Sequence, residues 1–96
     1  MRKITLDGAI AKAVSAFLAE HGKAEILVGD DRITVISYDT VGYDSITING
    51  DGIAEAEIYW GSSEFFDRWI LTDDGEISYK GTVDGYRRPP KWLGVE

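Results

Sequence analysis

Asp39, Asp44, Asp51, Glu55, Glu57, Glu64 and Asp67 fall within the 35 residues between Arg32 and Arg68, a stretch that holds no lysine or arginine. Carboxylates gathered in this way offer two kinds of chemistry. As a close pair they can pass protons as general acid and base. As a surface they repel nucleic acid and anionic membranes and attract cations or basic protein surfaces. Residues 39–76 hold ten carboxylates and one base, a net charge of -9, and the rest of the chain carries +2. The charge is segregated, so the partner it suggests is positive.

The best candidate for a working pair is Glu55 with Glu57, two residues apart on a segment of alternating polarity. That spacing puts both on one strand face, roughly 7 Å apart, with nothing to place them across a substrate cleft. A solvated sheet face or an acidic docking surface fits the pair better than acid–base catalysis, and Tyr59 on the same face would be its central anchor. His21 is the sole histidine and the chain lacks cysteine, so no relay, thiolate nucleophile or thiol-built zinc site can be assembled. At the end of a helix an imidazolium is favoured by the carbonyl dipoles, which makes His21 a capping or solvated residue.

Asn49-Gly50-Asp51-Gly52 and Asp73-Asp74-Gly75-Glu76 contain fragments of a calcium loop, but neither has oxygen ligands at positions 1, 3 and 5 with a glutamate at 12 between two helices. Hairpin turns use the same residues for backbone reasons. No Gly-x-Gly-x-x-Gly opens a helix and no Gly-Lys-Ser/Thr is present, so a phosphate cradle is lacking. No metal, cofactor or catalytic residue is expected. Direct nucleic-acid binding is not expected either, because the aromatics around Tyr59, Phe65 and Phe66 lie among acids rather than among lysines and arginines.

The elements that must position these side chains are legible from periodicity. Residues 7–21 read as a helix. Asp7 is the N-cap, Gly22 the stop, and Ile10, Val14, Phe17 and Leu18 with Ala9, Ala13 and Ala16 form the apolar stripe. From Ala24 the period changes to two. Strands are expected at 24–28, 32–38, 45–49, 53–60, 66–71 and 76–83, with turn residues at Gly29-Asp30-Asp31, at 49–52 and at 72–75. Residues 61–68 read either as a loop or as a capped helical turn through 65–68. The result is an α+β fold, one N-terminal helix on an antiparallel meander of five or six strands.

Pro89-Pro90 excludes a strand at the C-terminal end, yet Tyr86, Trp92, Leu93 and Val95 are too apolar for a free tail. An ordered basic and aromatic segment at 84–96 is therefore expected to lie across the domain or a partner. Tyr86, Arg87, Arg88 and Trp92 belong to the residue types that anchor interfaces. The whole chain, 1–96, reads as one compact domain. The apolar run near the N-terminus is broken by Asp7, Lys12 and Glu20, so neither a secretory signal nor a membrane span is expected, and a cytoplasmic home follows.

These features describe a small non-enzymatic acidic binder. Its partner would be a basic protein surface, of the kind found on nucleic-acid-handling proteins, which it would occupy in competition with nucleic acid. In size and charge the chain resembles the small acidic inhibitors that bacteriophages use against CRISPR or restriction systems, and immunity proteins that block nuclease toxins. The binding residues would be Asp39, Asp44, Asp51, Glu55, Glu57, Tyr59, Glu64 and Asp67. The alternatives are an assembly module that forms a homo-oligomer through a sheet edge or the tail, and, last, a small carboxylate enzyme.

Overall fold

The computed structural model describes residues 4–61, 66–81 and 88–93. Helix α1 spans Gly8–His21. The Asp7 carboxylate accepts the Gly8 amide at 2.8 Å, satisfying one of the free donors of the first turn. Gly22, at φ 71°, closes the helix by donating its amide to the Leu18 carbonyl at 3.1 Å. Only glycine enters that left-handed region without a steric cost.

Six strands follow: β1 Glu25–Val28, β2 Arg32–Tyr38, β3 Tyr43–Asn49, β4 Ile53–Tyr59, β5 Phe66–Thr72 and β6 Ile77–Tyr79. They form one antiparallel sheet in sequence order, each paired with the next. The chain is thus α+β, an N-terminal helix on a six-stranded meander. Phe66, Asp67 and Arg68 belong to β5, not to a helical turn. Residues 62–65, and the part of the last expected strand beyond Gly81, lie outside the described residues.

Alternation along the strands sorts the side chains. The helix-bearing face carries Val35, Ile46, Ile48, Ala54, Ala56, Trp69 and Leu71, all buried with Ile10, Ala13, Val14 and Phe17 of the helix. Leu18, expected in the stripe, is 44% exposed: the buried positions run at 10, 13, 14 and 17, and a residue following Phe17 by one turns away from the sheet. Trp60, expected as the last residue of a strand, follows the end of β4 and is exposed. At the turn between β2 and β3 the chains approach so closely that a Cβ on Gly42 would stand 1.8 Å from the Tyr59 carbonyl oxygen, so only glycine fits there.

A short 3-10 turn, Lys91–Leu93, brings the C-terminal segment back onto the helix. Trp92 meets Phe17 edge-to-face at 4.8 Å between centroids, and both Trp92 and Leu93 join the core at 3% exposure. The described part of the segment, 88–93, therefore lies on its own domain. Among the described residues, no helix is long and apolar enough to cross a membrane.

Candidate functional site

No helix among the described residues covers the other face of the sheet, and the register defines what it presents. One row across it reads Tyr38, Tyr43, Tyr59 and Phe66 on β2 to β5. The next reads Ile36, Ser45, Glu57 and Arg68, and a third Thr34, Thr47, Glu55 and Ile70. A shallow cleft of about 390 Å³ lies over this face, with Arg32 at its rim.

Two of its charges are engaged with each other. Arg68 donates from Nη2 and Nε to Glu57 Oε2 at 2.8 and 3.2 Å, and the Tyr43 hydroxyl donates to the other oxygen of Glu57. Arg68 also sits over the Phe66 ring at 4.7 Å. The Tyr43 phenol is pushed up to about 12, chiefly by burial and then by its hydrogen bond to Glu57. Glu55 accepts a longer bond from Asn49 Nδ2, 3.4 Å. Thr34 and Thr47 pair through their hydroxyls at 2.9 Å. Glu55, Glu57 and Tyr59 thus share this face, but Arg32 and Arg68 share it with them, so it is mixed in charge and aromatic in character.

The remaining expected site residues are dispersed. Asp44 points to the helix side, where its Oδ2 lies 2.8 Å from His21 Nε2. His21 Nδ1 lies 2.8 Å from the Phe17 carbonyl oxygen. Both neighbours are acceptors, so both ring nitrogens donate and the ring is held as an imidazolium. Burial opposes that charge, but the hydrogen bonds to Asp44 and Phe17, with the nearby carboxylates, outweigh it and raise the His21 pKa above its ordinary 6.5. The ring also stacks on Phe17 at 4.1 Å.

Two expected binding residues are core residues instead. Asp67 is 2% exposed on the helix side of β5 and accepts the Tyr79 hydroxyl at 2.6 Å; it alternates with Trp69 and Leu71, which fixes it inward. Trp92 is buried against Phe17 and so cannot anchor a partner. Asp39 caps the β2–β3 turn by accepting the amides of Gly42 and Val41 at 2.7 and 3.0 Å, and these bonds hold its carboxyl below the ordinary carboxylate value. Arg88 is exposed. Glu64, Tyr86 and Arg87 lie outside the described residues.

Carboxylates do converge at one end of the fold, and most of them lie outside the expected set. In an antiparallel meander every second connection falls at the same end, so the turns after β1, β3 and β5 are neighbours. They place Asp30, Asp31, Asp51, Asp73, Asp74 and Glu76 along the same end of the sheet. The Gly50 amide donates to the Asp31 carbonyl at 2.8 Å, which ties the first two turns. The Ala9 amide donates to the Asp73 carbonyl at 3.2 Å, which ties the third to the start of α1 and adds Asp7. Asp7, Asp51 and Asp73 line one cleft of about 330 Å³ with Ile4 and Ile10 at its base. Among the described residues, the bases nearest this end are Lys12, which borders the Asp73–Asp74 turn, and Arg32.

Several of these carboxylates are also turn-formers. Asp51 accepts the Ile53 amide at 3.1 Å. Asp74 accepts the Thr72 hydroxyl and the Glu76 amide, which hold its carboxyl below the ordinary value. Among the described residues no group of three or more histidines and carboxylates has the geometry to hold a metal ion. No family model, curated protein or solved structure matches the chain.

Proposed function

We propose that this protein is a non-enzymatic binder that docks its acidic loop end on a basic protein surface, in competition with nucleic acid. The observation that carries the reading is the convergence of three hairpin turns and the helix start at one end, which, among the described residues, sets Asp7, Asp30, Asp31, Asp51, Asp73, Asp74 and Glu76 against Lys12 and Arg32. Such an end presents a strongly negative field to solvent, which steers association with positive surfaces and fixes orientation more than it sets affinity. Two carboxylates that acid–base chemistry would need are otherwise engaged: Glu57 with Arg68 and Tyr43, and Asp44 with His21. The finer reading is an inhibitor of a nucleic-acid-handling protein, of the kind bacteriophages deploy against CRISPR or restriction systems.

The test is capture of bacterial lysate on the tagged protein, eluted in turn by salt and by duplex DNA. A nucleic-acid-handling protein released by both is the expected result. A variant with Asp51, Asp73 and Glu76 all changed to lysine should lose that partner, while Glu55→Lys on the sheet face should keep it. Retention by the triple variant, or a partner indifferent to salt and DNA, would sink the reading.

A further inference from the structure

The meander leaves β1 at one edge of the sheet, a strand of four residues in which Glu25 is the only charge and no proline stands. Edge strands are normally blunted by charge, proline or a bulge. Strand β1 pairs with β2 through four successive residues without a bulge, and its apolar residues stand in solvent: Ile26 is 60%, Leu27 50% and Val28 77% exposed. The helix packs chiefly on β3 and β5, and all four residues of β1 are exposed.

The backbone directions are fixed by the turn. The Gly29 amide donates to the Arg32 carbonyl at 2.8 Å, so Gly29 and Arg32 form a hydrogen-bonded pair. Alternation then makes Leu27 with Thr34, and Glu25 with Ile36, the next bonded pairs. The amides and carbonyls of Ile26 and Val28 therefore point away from β2, into solvent, as a ready pairing template.

We propose that β1 pairs antiparallel with β1 of a second copy of this chain, joining two sheets into one. A twofold axis perpendicular to the sheet is the only one that pairs identical strands antiparallel, and it places both helices on the same face. Centred on Leu27, it sets Ile26 opposite Val28 of the second copy and Val28 opposite its Ile26, so that all four outward-pointing residues exchange hydrogen bonds. In that register Leu27 meets its own counterpart, Glu25 faces Gly29, and Lys23 faces the Asp30–Asp31 turn on each side. Centring on Ile26 would instead set Glu25 against Leu27 and Lys23 against Gly29, which loses the charge match. The second copy is thus the occupant that both the apolar residues and the flanking charges fit.

The experiment is sedimentation equilibrium on the full chain, compared with Val28→Pro and Ile26→Lys. Proline at Val28 removes a donor that points away from β2, so the pairing within one chain keeps its bonds. The wild-type chain should reach twice the monomer mass with rising concentration, and both variants should remain monomeric with an unchanged far-ultraviolet spectrum. Lys23→Asp should weaken the dimer at least tenfold, and adding Asp30→Lys and Asp31→Lys should restore it. A wild-type chain that stays monomeric at millimolar concentration overturns the proposal. So does a dimer that both edge variants retain, or one indifferent to the charge at Lys23. Partner capture through Asp51, Asp73 and Glu76 is read out separately, so the two proposals fail independently.

Discussion

Replacing Asp44 by asparagine isolates a part-buried charge pair that joins the helix to the sheet. The substitution leaves an oxygen to accept from His21 Nε2 but removes the carboxylate charge. A hydrogen bond to a charged group is worth about 1.5–3 kcal/mol and a neutral one about 0.5–1.5 kcal/mol, so the difference is roughly 1 kcal/mol. The side chains of His21 and Asp44 are 15% and 28% exposed, which leaves some screening and holds the figure to that lower range. In a domain of this size that corresponds to a fall in Tm of about 4–8 °C. The sign with pH follows from the raised His21 pKa. A group whose folded pKa lies above its unfolded value stabilises fully below the unfolded value, here 6.5, and loses that contribution as pH rises through the folded one. Wild-type stability in urea should therefore decline between a pH below 6.5 and one above the raised folded value, while Asp44→Asn should show a flatter profile that meets the wild type at the alkaline end. The same measurement has an independent readout in the His21 ring resonances, which should titrate above 6.5 in the wild type and lower in the variant. An equal cost of Asp44→Asn at both pH values, or a His21 midpoint below 6.5, would refute the argument that this imidazolium is held by two acceptors.

Trp92→Ala should cost about 3–5 kcal/mol in chemical denaturation, because it empties the site against Phe17 and unseats the C-terminal segment; a cost under about 1 kcal/mol would show that the segment is not part of the core. Tyr43 should ionise last or near last among the tyrosines in an ultraviolet titration, near 12, and Glu57→Gln should bring it down only in part, since burial is the larger cause. An unchanged Tyr43 midpoint in that variant would remove Glu57 from the account.

The fold was legible because each element carried its own signal. The helix stripe, the Asp7 and Gly22 ends and the change of period at Ala24 all follow from local chemistry. Alternation was equally able to sort the carboxylates, but only where both strand ends were known. Asp44 shares a face with Ile46 and Ile48 once β3 is seen to begin at Tyr43, two residues earlier than its β-branched run suggests. Asp67 shares a face with Trp69 and Leu71, and the ambiguity between a loop and a helical turn at residues 61–68 is what hid it. Trp92 had no local signal: its burial depends on Phe17, far away in sequence, and on a short turn after two prolines.

The acidic end teaches a different lesson about charge in sequence. A run of carboxylates along the chain suggests a surface, yet a strand of seven residues carries its two ends about 20 Å apart, so neighbours in sequence separate in space. Asp39 and Asp51 flank the same strand, β3, and therefore sit at opposite ends of the sheet. Asp31, Asp51 and Asp73 are each some twenty residues apart and meet because the connections of a meander alternate between ends. The grouping that matters is set by the parity of the turns, and it follows from three hairpins and their order without any knowledge of side-chain packing. A charge block should therefore be read after the turns are counted: the acids on turns of one parity add their fields, and those on strands divide between a core face, where they must find partners such as His21 and Tyr79, and an open face, where Glu57 has found Arg68.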